Sequence, residues 1–274
     1  MNSVADVLND VKRGKISVRK AESILKFDSI AVINDIARID YNRYLRRGVP
    51  EIIYAQNKSI KQIILILQNL LSKRYRDSMQ EPIILSKVRR DQVKPLKHAF
   101  ESMKDRTSAL KYFENANLIA ICSKEKNQRG RIITGKVALL AAGTSDISVL
   151  NESEVLLNLF ECRTIRFNDV GVAGLHRLVE PMKKILNFNP DAVIVAAGME
   201  GALSSVVAGL VSVPVIGLPT SVGYGYGGKG ESALMSMLQA CSLGISVVNI
   251  DAGVAAGVVA WLVAKRKHLI KQSE

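Results

Sequence analysis

Two halves of different character are predicted: an α/β domain with a parallel sheet flanked by helices (residues 131–274), preceded by a smaller, basic, helix-rich α+β domain (residues 1–130). Three observations carry this. From Lys136 onward, apolar runs of four to six residues alternate with helix-length segments. That is the rhythm of βαβ units, whose strands are parallel and whose crossovers are right-handed. The chain is 48% hydrophobic but only 5% aromatic, so its core is Ile, Val, Leu and Ala, which suits a sheet covered on both faces. Charge and glycine divide in opposite directions. Residues 1–130 hold 26 Lys/Arg against 14 Asp/Glu and 3 glycines, whereas residues 131–274 hold 12 against 11 and 16 glycines.

In order, Asp6 to Arg13 and Ser17 to Lys26 read as amphipathic helices, with Ser17 as an N-cap. Ala31 to Tyr44 is expected to be helical, ended by Arg46-Arg47-Gly48-Val49-Pro50. Glu51 to Ala55 has strand composition. Ser59 to Ser72 returns to helix, with Ile60, Ile63, Ile64, Leu67 and Leu71 on one face. Pro82 to Leu85 and Ala116 to Cys122 read as strands, and His98 to Lys104 as a short element between them. Lys124 to Gly130 is polar and marks the domain boundary. Beyond it, strands are predicted at Val137–Ala142, Thr164–Phe167, Ala192–Ala197, Val215–Leu218 and Ile245–Ile250. Helices follow at about 148–162, 174–186, 201–211, 231–240 and 253–267.

Composition removes several classes. Cys122, Cys162 and Cys241 are widely spaced and form no CxxC pair, which argues against a disulfide framework or a cysteine zinc site. Met1 to Asp10 lacks the basic flank and apolar stretch of a secretion leader. The apolar run Ala252–Ala264 is shorter than the ~20 residues of a membrane span. A cytoplasmic protein is expected. The basic first half fits anionic ligands, and nucleic acid is the rival reading, although no nucleic-acid motif is present.

Chemistry concentrates where apolar runs end. Gly143-Thr144-Ser145-Asp146 joins a strand to a helix. Its hydroxyls and the helix N–H groups suit a phosphate, and the same residues serve as ordinary caps. His176-Arg177 follows a second such run, either as a functional pair or as solvated surface. Gly198-Met199-Glu200-Gly201 follows a third; a carboxylate so close to a buried sheet is expected to be partly desolvated and usable as a base. Ser221 to Gly230 is Gly-rich and carries Tyr224 and Tyr226, which suits a lid or a merely mobile loop. Cys241 is a candidate nucleophile if a cation lowers its pKa, and otherwise an inert thiol.

Together, Ala142 to Asp146, Asp169 to Leu178, Gly198 to Leu203, Pro219 to Gly225, Cys241 and Val248 to Asp251 resemble the LarB family, as do Asp40, Arg43, Arg47-Gly48 and Pro50 to Tyr54. Departures fall at Asn57 to Ser59, Ser204, Ala240, Ser242-Leu243 and Ala252. The second half also resembles PurE-type aminoimidazole ribonucleotide carboxylases and mutases, which implies a PurE-like sheet and a homo-oligomer, possibly an octamer. The resemblance implies carboxylation of the nicotinic acid adenine dinucleotide ring at C5 and hydrolysis of its phosphoanhydride. It implies Cys241 as covalent nucleophile, Glu200 as base and His176 as acid/base or substrate ligand, all converging on one crevice. Gly143, Thr144, Ser145, Asp146, Arg177, Gly198, Met199 and Ser221 are implied in substrate binding. Carbon dioxide or bicarbonate would be co-substrate and Mg2+ an aid to hydrolysis, although no metal ligands are readable. Mutase activity is the alternative.

Overall fold

A computed structural model describes residues 4–27, 30–33, 37–40, 43–77, 81–103, 105, 107–124 and 135–271. The chain forms two compact units, Met1–Arg129 and Gly130–Glu274. The boundary predicted between residues 130 and 131 lies outside the described residues. No helix among the described residues is long and apolar enough to cross a membrane.

The first unit opens with α1 (Val4–Lys12) and α2 (Val18–Phe27). Ser17 caps α2 as its sequence suggests, accepting the Lys20 N–H at 3.2 Å. The helix expected over residues 31–44 is instead an antiparallel pair, β1 (Ile30–Ile33) and β2 (Ala37–Asp40), followed by α3 (Arg43–Arg47). β-branched residues at 30, 32, 33 and 39 favour a pleated strand, and Ile33 and Ile39 bury into the unit's core. Local propensity and burial here outweigh a helical spacing that is only approximate.

Next come β3 (Ile52–Tyr54), α4 (Ile60–Asp77), β4 (Ile83–Ser86), α5 (Arg90–Ser102), β5 (Ser108–Phe113) and β6 (Leu118–Ser123). Ser59 and Gln62 cap α4 reciprocally: Gln62 N–H donates to Ser59 Oγ at 3.2 Å, and Ser59 N–H to Gln62 Oε1 at 2.9 Å. The four strands run in the order β3-β4-β6-β5, with β3 and β4 parallel and the other pairs antiparallel. Ile63, Leu67, Leu85, Leu96, Ile119 and Ile121 fill the core beneath them. Most of α5 and all of β5 escape sequence reading. Pro95 interrupts the one, and Lys111 the apolar run of the other.

The second unit contains β7 (Lys136–Ala141), α6 (Ile147–Leu159), β8 (Arg163–Phe167), α7 (His176–Phe188) and β9 (Ala192–Ala197). It continues with α8 (Leu203–Ala208), β10 (Val215–Pro219), α9 (Glu231–Leu238), β11 (Ile245–Val247) and α10 (Gly253–Lys271). All five strands are parallel, in the order β11-β10-β9-β7-β8. One face, carrying Ala138, Leu140, Val193 and Val195, packs on residues of α7, α8 and α9. Side chains alternate along a strand, so Val137, Leu139 and Ile194 turn to the other face, which α6 and α10 cover. This is the α/β architecture the sequence predicts.

The contact between α6 and α10 is close enough to need a glycine. A Cβ on Gly253 would lie 2.3 Å from the Val149 carbonyl oxygen and 2.9 Å from Glu152 Cβ. Gly253→Ala should therefore lower stability by about 2–3 kcal/mol, the usual cost of overpacking against backbone. Denaturant unfolding measures this; unchanged stability would mean that α10 can slide to make room.

Candidate active site

The strand order places the site. The chain leaves β7 for β8 on one side and returns to β9 on the other, so the loops after β7 and β9 diverge. Ligands of open parallel sheets bind in the crevice at such a switch point, beyond the carboxyl ends of the strands. A crevice of about 480 Å³ lies there, lined by Gly143, Ser145 and Asp146 after β7, Asp169 and Arg177 after β8, and Gly198, Met199 and Glu200 after β9. Val222 and Tyr224, from the Gly-rich loop after β10, complete the lining.

Asp146 ties these loops together. It is 4% exposed, and its carboxylate accepts the Gly143 N–H at 2.8 Å and the hydroxyl of fully buried Thr220. Burial raises its carboxyl above the ordinary Asp value, against the lowering effect of the hydrogen bonds from Thr220 and Gly143. Folded Asp146 thus keeps its proton to higher pH than the unfolded chain does. Its contribution to stability is greatest below the unfolded value, 3.8, and is lost as pH rises through the raised one. Asp146→Asn cannot ionise. Its stability relative to the parent should therefore climb with pH from about 4 upward, read by denaturant titrations across pH. A flat difference would show that the carboxyl titrates alike in both states.

The turn after β9 is held in a costly shape. Met199 has φ +50°, a left-handed conformation that a non-glycine residue adopts at a cost of about 1 kcal/mol or more. The turn closes with Gly201 N–H donating to the Gly198 carbonyl at 2.9 Å. A Cβ at Gly198 would lie 2.9 Å from Thr220 Oγ1, so only glycine lets this turn approach the end of β10. The result projects Met199 and Glu200 into the crevice. Glu200 is exposed, which corrects the expectation of a desolvated base: the tip of the turn stands clear of the sheet. The buried carboxylate of this site is Asp146.

Arg177, in the first turn of α7, is paired with Asp169 at 3.0 Å; both are solvent-exposed, so the pair orients the guanidinium more than it stabilises the fold. Its neighbour His176 is exposed and does not line the crevice. Neither Thr144 nor Ser221 lines it. Ser221 instead donates its N–H to Asp251 Oδ1 at 2.9 Å, anchoring the start of the Gly-rich loop.

Cys241 departs furthest from expectation. Cys162 is buried and Cys122 half-buried, while Cys241 is exposed, yet it does not line the crevice. A βαβ crossover explains why. α9 begins near the carboxyl end of β10 and returns the chain to the amino ends of the strands. There the Gly244 carbonyl accepts the N–H of Val215, the first residue of β10, at 3.0 Å. Cys241 lies three residues before that contact. Of Cys241, His176 and Glu200, only Glu200 lines the crevice.

Asp169 and Thr220 lie inside the motifs read from the sequence but are given no individual role there, and Tyr224 is read only as part of a lid loop. Among the described residues no three His, Cys, Asp or Glu side chains cluster so as to hold a metal ion. Asp146, Asp169 and Glu200 line the crevice without forming such a group.

Residues 136–273 match the AIR carboxylase family, and residues 31–124 match the LarB/PurE-like N-terminal domain. The chain is 37% identical over 266 residues to an uncharacterized protein of Methanocaldococcus jannaschii, covering 97% of this chain and 98% of that protein. Over 140 residues it is 29% identical to N5-carboxyaminoimidazole ribonucleotide mutase of the same organism, covering 50% of this chain and 84% of the mutase. With both domains present in this order and a parallel sheet carrying a crevice at its switch point, the chain belongs to the LarB family of PurE-fold carboxylases.

Proposed function

We propose that this protein carboxylates the pyridinium ring of nicotinic acid adenine dinucleotide at C5 and hydrolyses its phosphoanhydride. The products are pyridinium-3,5-biscarboxylic acid mononucleotide and AMP, which begins nickel-pincer nucleotide synthesis. The observation that carries this reading is the pairing of a LarB-type first domain with an AIR carboxylase-type second domain in one chain. A pyridinium ring is electron-poor, so its C5 cannot attack carbon dioxide. The thiolate of Cys241 adds to C4, and the displaced ring electrons neutralise the nitrogen and leave an enamine. C5 of that enamine attacks carbon dioxide, forming the C–C bond and an iminium. Glu200 removes the C5 proton, the thiolate departs from C4, and the aromatic ring returns. The net change exchanges one ring proton for one carboxylate, with no oxidation.

In this reading Arg177 holds a carboxylate or phosphate and the loop from Gly143 to Asp146 the remaining anionic oxygens, supported by the Arg177–Asp169 pair and by Gly143, Ser145 and Asp146 in the crevice lining. Tyr224 offers a face on which the ring can stack. Carbon dioxide or bicarbonate is the second substrate. Magnesium, for which the crevice offers no ligand cluster, is assigned to the substrate's diphosphate, and no step is routed through it.

The test is mass spectrometry of products from the dinucleotide with bicarbonate, beside a parallel incubation with aminoimidazole carboxylates. A biscarboxylated mononucleotide with AMP supports the reading. Turnover of the imidazole substrate alone replaces it with the mutase, which the similarity of the second half favours. Salt-sensitive DNA binding without turnover would favour a nucleic-acid role for the basic half.

A further inference from the structure

We propose that the Gly-rich loop, residues 221–230, closes over the crevice on the bound dinucleotide and keeps water from the ring while C5 is nucleophilic, with Asp251 as the residue that positions it. This deepens the function proposed above and rests on it. Both ends of the loop are fixed close together. Thr220, just before it, is fully buried and donates its hydroxyl to Asp146. Asp251 Oδ1 accepts the Ser221 N–H at 2.9 Å, and the Asp251 N–H donates to the Pro219 carbonyl at 2.9 Å. One residue thus braces both the end of β10 and the start of the loop. Gly230, at the other end, is buried with φ +83°. A Cβ there would lie 3.0 Å from the Thr220 carbonyl oxygen and 2.7 Å from Ile250 Cγ2, so the loop leaves and returns at nearly one point.

Between these anchors the first stretch is packed and the tip is open. A Cβ on Gly223 would lie 3.0 Å from the Met199 nitrogen, so this part rests against the turn after β9. Beyond it the backbone bonds are local. Gly228 N–H donates to the Gly225 carbonyl at 3.2 Å, and Ser232 N–H to the Gly227 carbonyl at 3.2 Å. Five of the ten residues are glycine, which widens the backbone conformations open to the tip. Tyr224 lines the crevice yet is 79% exposed, and Tyr226 is fully exposed. Two rings held in water at the mouth of a crevice gain apolar burial when the loop folds onto a ligand. A free tip between fixed ends is the build of an active-site lid.

Closure has a chemical purpose here. The enamine formed when the thiolate adds to C4 can take a proton from water at C5 instead of bonding to carbon dioxide. Protonation forms a C5–H bond and an iminium. Glu200 then removes a proton from C5, the thiolate departs from C4, and the dinucleotide returns unchanged. In D2O the returning ring carries deuterium at C5. Each such cycle is an empty turn that exclusion of water suppresses. The partition between carboxylation and C5 exchange therefore reads closure directly.

Two experiments on the full-length protein test this. In D2O with bicarbonate, mass spectrometry compares C5 deuterium in recovered dinucleotide with carboxylated product. The ratio should be low in the parent and rise several-fold in Tyr224→Ala and in Tyr226→Ala. Asp251→Ala should raise it likewise, and Asp251→Asn, which keeps the acceptor for Ser221, should restore it. A merely structural role would lower activity without moving this ratio. Parent-like ratios in both tyrosine variants overturn the lid. A parent-like ratio in Asp251→Ala, or one as high in Asp251→Asn, overturns the positioning role of Asp251. Second, amide hydrogen exchange is followed over residues 225–229 in Cys241→Ala, with and without the dinucleotide. These residues do not line the crevice, so their protection by the dinucleotide requires closure. Protection is expected; unchanged exchange overturns the lid. A parent protein that neither carboxylates the ring nor exchanges C5 overturns the assigned reaction, and amide exchange then still decides the lid.

Discussion

Cys241→Ala is expected to abolish carboxylation of nicotinic acid adenine dinucleotide, lowering its rate by more than about 10³-fold while leaving the fold intact. The side chain is exposed and outside the core, so its removal creates no cavity. What it removes is the adduct at C4, and without the adduct C5 has no electron pair to offer carbon dioxide. Dinucleotide binding should survive, because Arg177 and the loop from Gly143 to Asp146 belong to the crevice and not to the turn that bears the thiol. Product mass spectrometry beside equilibrium binding separates the two effects. Carboxylation at the parent rate by the alanine variant would end the covalent mechanism.

Glu200→Gln should slow carboxylation by about 10²–10⁴-fold, the range for loss of a positioned general base. Glutamine keeps the length and hydrogen bonding of the side chain but cannot accept the C5 proton. The reaction then stalls after the new C–C bond forms, and ring material should accumulate on Cys241. Intact-protein mass spectrometry should therefore find an adduct in Glu200→Gln and none when Cys241→Ala is added. The exposed, strained turn that presents Glu200 tolerates this nearly isosteric change, so stability should move little. Parent-like turnover in Glu200→Gln, with no adduct, would remove Glu200 from the chemistry. Asp146, whose burial raises its carboxyl, would then be the next base to test.

The reading of the second half was legible because its signals are local. Each strand is a buried apolar run, and each junction is marked by glycine with Ser, Thr, Asp, His or Glu. Gly143 to Asp146 and Gly198 to Glu200 meet at the crevice because both follow strands flanking the switch point. The first half was harder. The hairpin of β1 and β2 reads as a helix over residues 31–44, since short runs of Ile, Val and Ala satisfy either period. Only the packing of Ile33 and Ile39 against the four-stranded sheet selects the strand. Asp146 rather than Glu200 is the desolvated carboxylate for a similar reason: both follow strand ends, but desolvation depends on which loop folds inward. Asp146 does so by accepting hydrogen bonds from Gly143 and from Thr220, the latter seventy-four residues away.

By itself the sequence determined the α/β class of the second half, the places where its strands end and the residue types offered there, because side-chain period and glycine punctuation are properties of neighbouring residues. The tertiary structure alone decided which of those ends share a crevice, which carboxylate loses its water, and that Cys241, although exposed, does not line it. Those outcomes follow from strand order and from the direction in which a crossover helix returns, and both arise from contacts between segments far apart in the chain.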